Sequence, residues 1–119
     1  MSTQEIANRL VELSRQGAWK QAQSELYADD AVSIETEATP GFDAETKGLK
    51  ALQEKINRWE AAVEEAHRID ISDPLVAENN FAVRMVMDLT MRGQGRVVFN
   101  EICVYTIKDG KIILEQFFY

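Results

Sequence analysis

The hydrophobic period of this chain changes once, near residue 66, and that change limits what the chain can fold into. From Phe81 the apolar residues fall on every second position. Phe81, Val83, Met85, Met87, Leu89 and Met91 alternate with Ala82, Arg84, Val86, Asp88 and Thr90. Successive side chains of a strand point to opposite faces, so this segment reads as a strand with one apolar and one mixed face. Turn signals at Glu78-Asn79-Asn80, Gly93-Gln94-Gly95 and Lys108-Asp109-Gly110 punctuate the second half. They predict four long strands from about residue 66 to 119, joined by tight hairpins.

The first half carries the helical period instead. Ser2-Thr3-Gln4-Glu5 has the spacing of a capping box, and Ile6, Leu10 and Leu13 follow on one helix face. Gly17 supplies a left-handed stop. A second helical piece, over about residues 18–28, carries Trp19, Ala22, Leu26 and Tyr27. The chain then turns at Asp29-Asp30 into a short strand, Ala31–Glu35. Residues 36–47, with Pro40 and Gly41, read as a loop long enough to act as a lid. Gly48 opens a third helix, whose stripe is Leu49, Leu52, Ile56, Trp59 and Val63. Three N-terminal helices followed by an antiparallel meander make an α+β fold. At 119 residues, with no repeat or shift of composition, residues 1–119 form one domain.

Charge narrows the function classes. Thirteen basic residues against twenty acidic ones leave a net charge of −7. Such a surface repels phosphate backbones and anionic lipid, which argues against nucleic-acid and membrane binding. No apolar run approaches the ~20 residues of a membrane span. The start, Met1 to Glu5, has neither the basic nor the apolar region of a signal peptide, so a soluble, cytoplasmic protein is expected. The single cysteine, Cys103, makes no internal disulfide. There is no H-E-x-x-H pattern, no Cys/His spacing and no glycine-rich phosphate loop, so neither a metal nor a cofactor is expected. The Val97–Ile107 strand is apolar on both faces. The helices can cover one face, and a second copy is the simplest cover for the other, which predicts a homodimer.

Three segments, in order, resemble a known family. Leu26-Tyr27-Ala28-Asp29-Asp30-Ala31-Val32 is similar to the helix–strand junction of SnoaL-like proteins. Lys47-Gly48-Leu49-Lys50-Ala51-Leu52 resembles their third-helix start, and Tyr105 to Ile112 resembles their D-G-K hairpin. That family lies within the nuclear-transport-factor-2-like superfamily, alongside ketosteroid isomerases and polyketide cyclases. The resemblance implies a cone-like fold, a strongly curved, mostly antiparallel sheet wrapped round a long helix, with a cavity at its mouth. It also implies carboxyl groups working as acids and bases in an apolar pocket, where burial raises their pKa.

The candidate catalytic residues are Glu35, Glu101 and His67. By the resemblance, Glu35 falls where the isomerases place their general base, and Cys103 lies nearest the position of their hydrogen-bonding acid. Glu101 is two residues from Cys103, on the same strand face, and interrupts an otherwise apolar strand. Its bland alternative is an ion pair with Arg84, Arg96 or His67. His67 is the only histidine and the natural proton shuttle, or else a surface group. Leu10 stands where the isomerases carry a tyrosine donor, so steroid isomerisation is not expected; Tyr27, Tyr105 or Tyr119 would have to supply a hydroxyl. Trp19, Trp59, Phe99, Cys103, Phe117 and Tyr119 are candidate walls of a ligand pocket, or simple core. Arg84 and Asp88 are four apart on one strand face and suggest cross-strand pairing at a dimer surface. Two readings of function stand at this point. One is a SnoaL-like isomerase or cyclase acting on a small apolar carbonyl or polyketide-like substrate. The other is a non-catalytic ligand-binding or dimerisation module.

Overall fold

The capping box forms as its spacing requires. In the computed structural model, which describes residues 1–119, the Glu5 N–H donates to Ser2 Oγ at 3.1 Å and the Ser2 N–H donates to Glu5 Oε1 at 2.9 Å. Helix α1 runs Thr3–Arg15 and Gly17 follows it at φ +70°. Helix α2, Trp19–Leu26, ends two residues before the sequence reading placed its end. Tyr27 is already extended and opens strand β1, Tyr27–Ile34, which therefore starts four residues earlier than Ala31. The reason is tertiary: Tyr27 pairs with Ile112 near the far end of the chain, and its ring is buried. Long-range pairing overrides local helical pattern there.

The expected loop over 36–47 is more ordered than its composition suggests. Thr39 and Phe42 bridge one another, and Glu45–Lys47 forms β2, antiparallel to β1. Helix α3, Leu49–Ala62, passes directly into β3, Val63–Ile71. A short strand not foreseen from the sequence, β4 (Leu75–Ala77), pairs with the start of β5 (Asn80–Met91). Strands β6, Gly95–Lys108, and β7, Lys111–Phe118, complete the meander. The expected turns at Glu78 and Asp109 are real, and both residues take positive φ, of 54° and 52°.

The seven strands make one sheet in the order β2-β1-β7-β6-β5-β3, with β4 beside β5. Every pairing is antiparallel except β1 with β7. Helix α3 touches β1 and β3, which lie toward opposite ends of that order. Its side chains also meet β7 and β6, through Lys55 over Phe117 and Trp59 against Phe99, so the concave face of the sheet wraps the helix. Register shifts in β3 and near Thr106 supply local bending. This is the α+β, cone-like architecture expected. The alternation of β5 also holds: Phe81, Val83, Met85, Met87, Leu89 and Met91 are all buried against Ile6, Ala7, Leu10 and Leu52. Phe81 stacks on Tyr105 with ring centroids 4.7 Å apart. No helix is long and apolar enough to cross a membrane.

Gly48 is the hinge between β2 and α3. Its N–H donates to the Ala31 carbonyl at 2.8 Å while φ is +92° and ψ is 143°, a conformation close to glycine-only. An added Cβ would meet only the Asp29 carbonyl, at 4.0 Å, so a substitution here is resisted by backbone strain rather than by collision. Gly48→Ala is expected to cost about 1–3 kcal/mol of stability, read from urea unfolding, with the native fold retained.

Candidate functional site

Between the three helices and the inner face of the sheet lies a cavity of about 280 Å³. Strand parity builds it. Phe99, Glu101 and Tyr105 share one face of β6, and Glu115, Phe117 and Tyr119 share one face of β7 and its extension. Glu35 enters from the end of β1, its N–H held by the Ala44 carbonyl at 2.7 Å. Met85 and Met87 floor the cavity from β5; Ile56 and Trp59 close it from α3, and Phe42 from the loop. Trp59 meets the Phe99 ring edge-on at 5.3 Å and the Phe42 ring edge-on at 6.4 Å. Edge-to-face contacts of this kind hold aromatic walls in place.

A polar seam crosses this apolar interior. Lys55, on α3, reaches inward and is the cavity's one basic side chain. Its Nζ lies 3.0 Å from Glu35 Oε1, donates to Ser33 Oγ at 2.9 Å, and sits 5.2 Å from the centre of the Phe117 ring. The Tyr119 hydroxyl donates to the other Glu35 oxygen at 3.4 Å. Across the β1–β7 pairing Ser33 stands beside Glu115, and the Tyr27 hydroxyl donates to the Glu115 carboxylate in a short hydrogen bond. Burial raises the pKa of Glu115 against the lowering effect of Tyr27 and Lys55, and pushes the Tyr27 hydroxyl well above its usual range.

Glu101 stands apart from the seam. No cation binds it, and its closest polar partner is the Cys103 thiol, 3.8 Å away. Burial first, and then the negative charge of Glu35, push its pKa up to about 7. Burial beside Glu101 also raises the Cys103 thiol, which keeps that sulfur protonated and unreactive.

The structure brings together Glu35 and Glu101 with Trp19, Trp59, Phe99, Phe117 and Tyr119 at one cavity. It does not bring His67 there. His67 lies at a register shift in β3, and its Nε2 is 2.7 Å from Thr90 Oγ1 on the outer face of the sheet. A His67–Glu101 pair is therefore ruled out by the strand face each occupies. Cys103, between Glu101 and Tyr105 on the same face of β6, is fully buried in the core and is not part of the cavity lining. Glu101 also makes none of the ion pairs set against it: Arg96 binds Asp88 at 2.8 Å, and Arg84 donates to Asn100 at 3.1 Å. Asp88 and Arg84 both find their partners across the β5–β6 pairing, in Arg96 and Asn100. Sequence reasoning missed Lys55, Ser33, Glu115 and Gln23. Two of these had a signal: Glu115 shares the parity of Phe117, and Lys55 lies three residues after Leu52 and four before Trp59, on the edge of the stripe.

Comparison with other proteins follows the same lines. A family model described as a SnoaL-like domain matches residues 1–119. A Mesorhizobium loti protein proposed to be a SnoaL-like polyketide cyclase is 36% identical, with 100% of each chain covered and a TM-score of 0.92. A protein from Jannaschia sp. CCS1, also proposed to be a SnoaL-like polyketide cyclase, is 16% identical over 98% of this chain and 85% of its own, with a TM-score of 0.77. A Catenulispora acidiphila protein with a ketosteroid isomerase-like fold, solved with trimethylamine, is 16% identical over 97% of this chain and 85% of its own, with a TM-score of 0.75. The last two likenesses concern the fold alone. No sequence among the curated proteins matches this chain.

The raised pKa of Glu101 has a thermodynamic counterpart. A carboxyl whose folded pKa exceeds its unfolded value favours the fold when protonated. That advantage is complete below the unfolded pKa and is lost as pH rises through the folded one. Glu101→Gln, which keeps the shape and removes the charge, is expected to be more stable than the wild type at pH 8 by up to about 3 kcal/mol, with the gap closing near pH 4.5. Urea unfolding at the two pH values measures it.

Proposed function

We propose an acid–base role for the cavity, starting from the fact that this chain belongs to the SnoaL-like domain family. The family and its fold are compatible with an isomerase or cyclase role or with ligand binding. The observation that favours proton transfer is Glu101: an ionisable group without a cationic partner, facing an apolar cavity, with a pKa of about 7. A base poised near neutrality both accepts and returns protons efficiently. Glu35, by contrast, is tied to Lys55 and Tyr119, which suits it to shaping the field around Glu101.

In this reading the ligand is a small carbonyl compound seated against Trp59 and Phe99. Glu101 removes a proton from the carbon next to the carbonyl. The C–H electron pair moves into the carbonyl system, and the negative charge collects on oxygen. The Lys55 ammonium, the cavity's one positive charge, is the group that balances it through space. Where the carbonyl compound carries a β,γ double bond, the charge extends to the γ carbon and Glu101 returns its proton there, which completes an isomerisation. Where the carbanion instead attacks a second carbonyl of the same molecule, a ring closes and Glu101 gives its proton to the alkoxide formed.

Solvent deuterium exchange into small cyclic ketones tests this. Exchange should follow a rising pH profile with a midpoint of about 7, and Glu101→Gln should lower its rate by roughly 10²–10⁴-fold. A flat profile, or full exchange in the variant, would remove Glu101 from the role.

A second copy of the chain is the proposed cover for the outer face. Ile102 and Phe118 are register partners there, 43% and 51% exposed, and Val98 on the same face is 60% exposed. The patch joins two neighbouring strands and is bordered by the Arg96–Asp88 pair, so a two-fold arrangement sets apolar surface on apolar surface and mixed charge on mixed charge. Light scattering should give the mass of a dimer for the wild type and of a folded monomer for Ile102→Arg.

A further inference from the structure

Two acceptors at the cavity lack a strong donor, and they say what kind of ligand fits it. Lys55 is fully engaged, by Glu35, Ser33 and the face of Phe117. The Tyr27 hydroxyl is given to Glu115, and the Tyr119 hydroxyl to Glu35. Two acceptors are without such a partner. One is the Glu101 carboxyl, whose only neighbouring donor is a thiol. The other is Gln23, on α2. Its residue is 3% exposed, it lines the cavity, and its buried Oε1 has no hydrogen-bond partner. A buried acceptor left unmade is costly, so a ligand that supplies the missing donor gains from it.

The walls fit the same ligand. Trp19, Phe42, Trp59, Phe99 and Tyr119 are among the rings that line the cavity, and the Lys55 ammonium already lies over another, Phe117. Aromatic faces attract cations, most strongly where water is excluded. Three carboxyl groups, Glu35, Glu101 and Glu115, share the space with one ammonium.

We infer that the cavity takes a small organic cation bearing N–H donors, a protonated amine on an apolar or aromatic body, with Glu101 as its counter-ion and Gln23 as a hydrogen-bond acceptor. The inference rests on reading this cavity as the ligand site and does not require catalysis. The groups facing Glu101 set its pH dependence: Glu35 from β1, Lys55 from α3, Cys103 and Tyr105 from β6, Glu115 from β7, and Tyr119 from the end of the chain. Among these, only Lys55 carries positive charge, and it is paired.

Titration calorimetry with phenethylamine, against its neutral counterpart phenethyl alcohol, tests the assignment on the intact protein. The amine should bind at least about tenfold tighter than the alcohol at pH 8, since its charge-assisted bond is the stronger one. Its affinity should fall about tenfold from pH 8 to pH 6 as Glu101 takes up a proton, while the alcohol stays level. Glu101→Gln should remove both the preference and the pH dependence, and Gln23→Leu should weaken the amine roughly 3–10-fold without changing the pH dependence. The wild-type series needs no variant, so a variant that fails to fold does not decide the result. Equal binding of amine and alcohol, binding of neither, or a preference that survives Glu101→Gln would overturn the assignment. Loss of ketone exchange with amine binding intact would sink only the acid–base role, and ketone exchange without amine binding would sink only the ligand class.

Discussion

One buried ammonium organises the interior of this protein. Lys55 has a side chain only 9% exposed, and it bonds helix α3 to β1 through both Ser33 and Glu35. A buried charge is tolerable only when it is paired and hydrogen-bonded, and each of those bonds fixes the distance between helix and strand. The sheet curves round α3, so that distance also sets how wide the space between them is. Phe117 packs beneath the same ammonium and ties β7 into the arrangement. The cavity is thus the space left over once Lys55 has satisfied itself. Breaking the pair from either side would leave an uncompensated charge in an apolar setting.

Around that centre, environment divides three chemically similar carboxyl groups into different roles. Glu35 has a cation, Glu115 has a hydroxyl, and Glu101 has neither. The same side chain therefore meets three local electrostatic conditions within one small volume. Glu35 acts on Glu101 through space as a like charge, so the helix lysine influences Glu101 by keeping its partner in place. The three are one coupled system, and a change at any of them reaches the others.

The fold was legible in the sequence because its signals are periodic and local. The two-residue alternation of Phe81 to Met91 and the three-four spacing of Leu49 to Trp59 each state a face without reference to anything distant. The caps at Ser2 and Gly48 state boundaries. The start of β1 was not legible, because Tyr27 becomes extended only through its pairing with Ile112. The candidate site was legible in part. Glu101 was conspicuous as a charge in an apolar strand, and Glu35 stood out by resemblance. Lys55 was hidden because lysine on a helix usually faces water, and its inward course depends on Ser33 and Glu35 being opposite. His67 was drawn in by its chemistry alone; a register shift in β3 puts it on the other face.

The parallel pairing of β1 with β7 has a consequence for the order in which the molecule assembles. Tyr27 and Ile112 meet across most of the chain's length, whereas the β3-to-β7 meander closes through short turns. Long loops are the slow ones to close, so the meander is the natural early structure and the β1–β7 seam the late one. Glu35 and Ser33 lie on one side of that seam, and Glu115 and Phe117 on the other. On the ribosome, β7 emerges after all six other strands. The nascent chain therefore carries its acidic residues apart and solvated, and they are gathered around one cavity only with β7 in place.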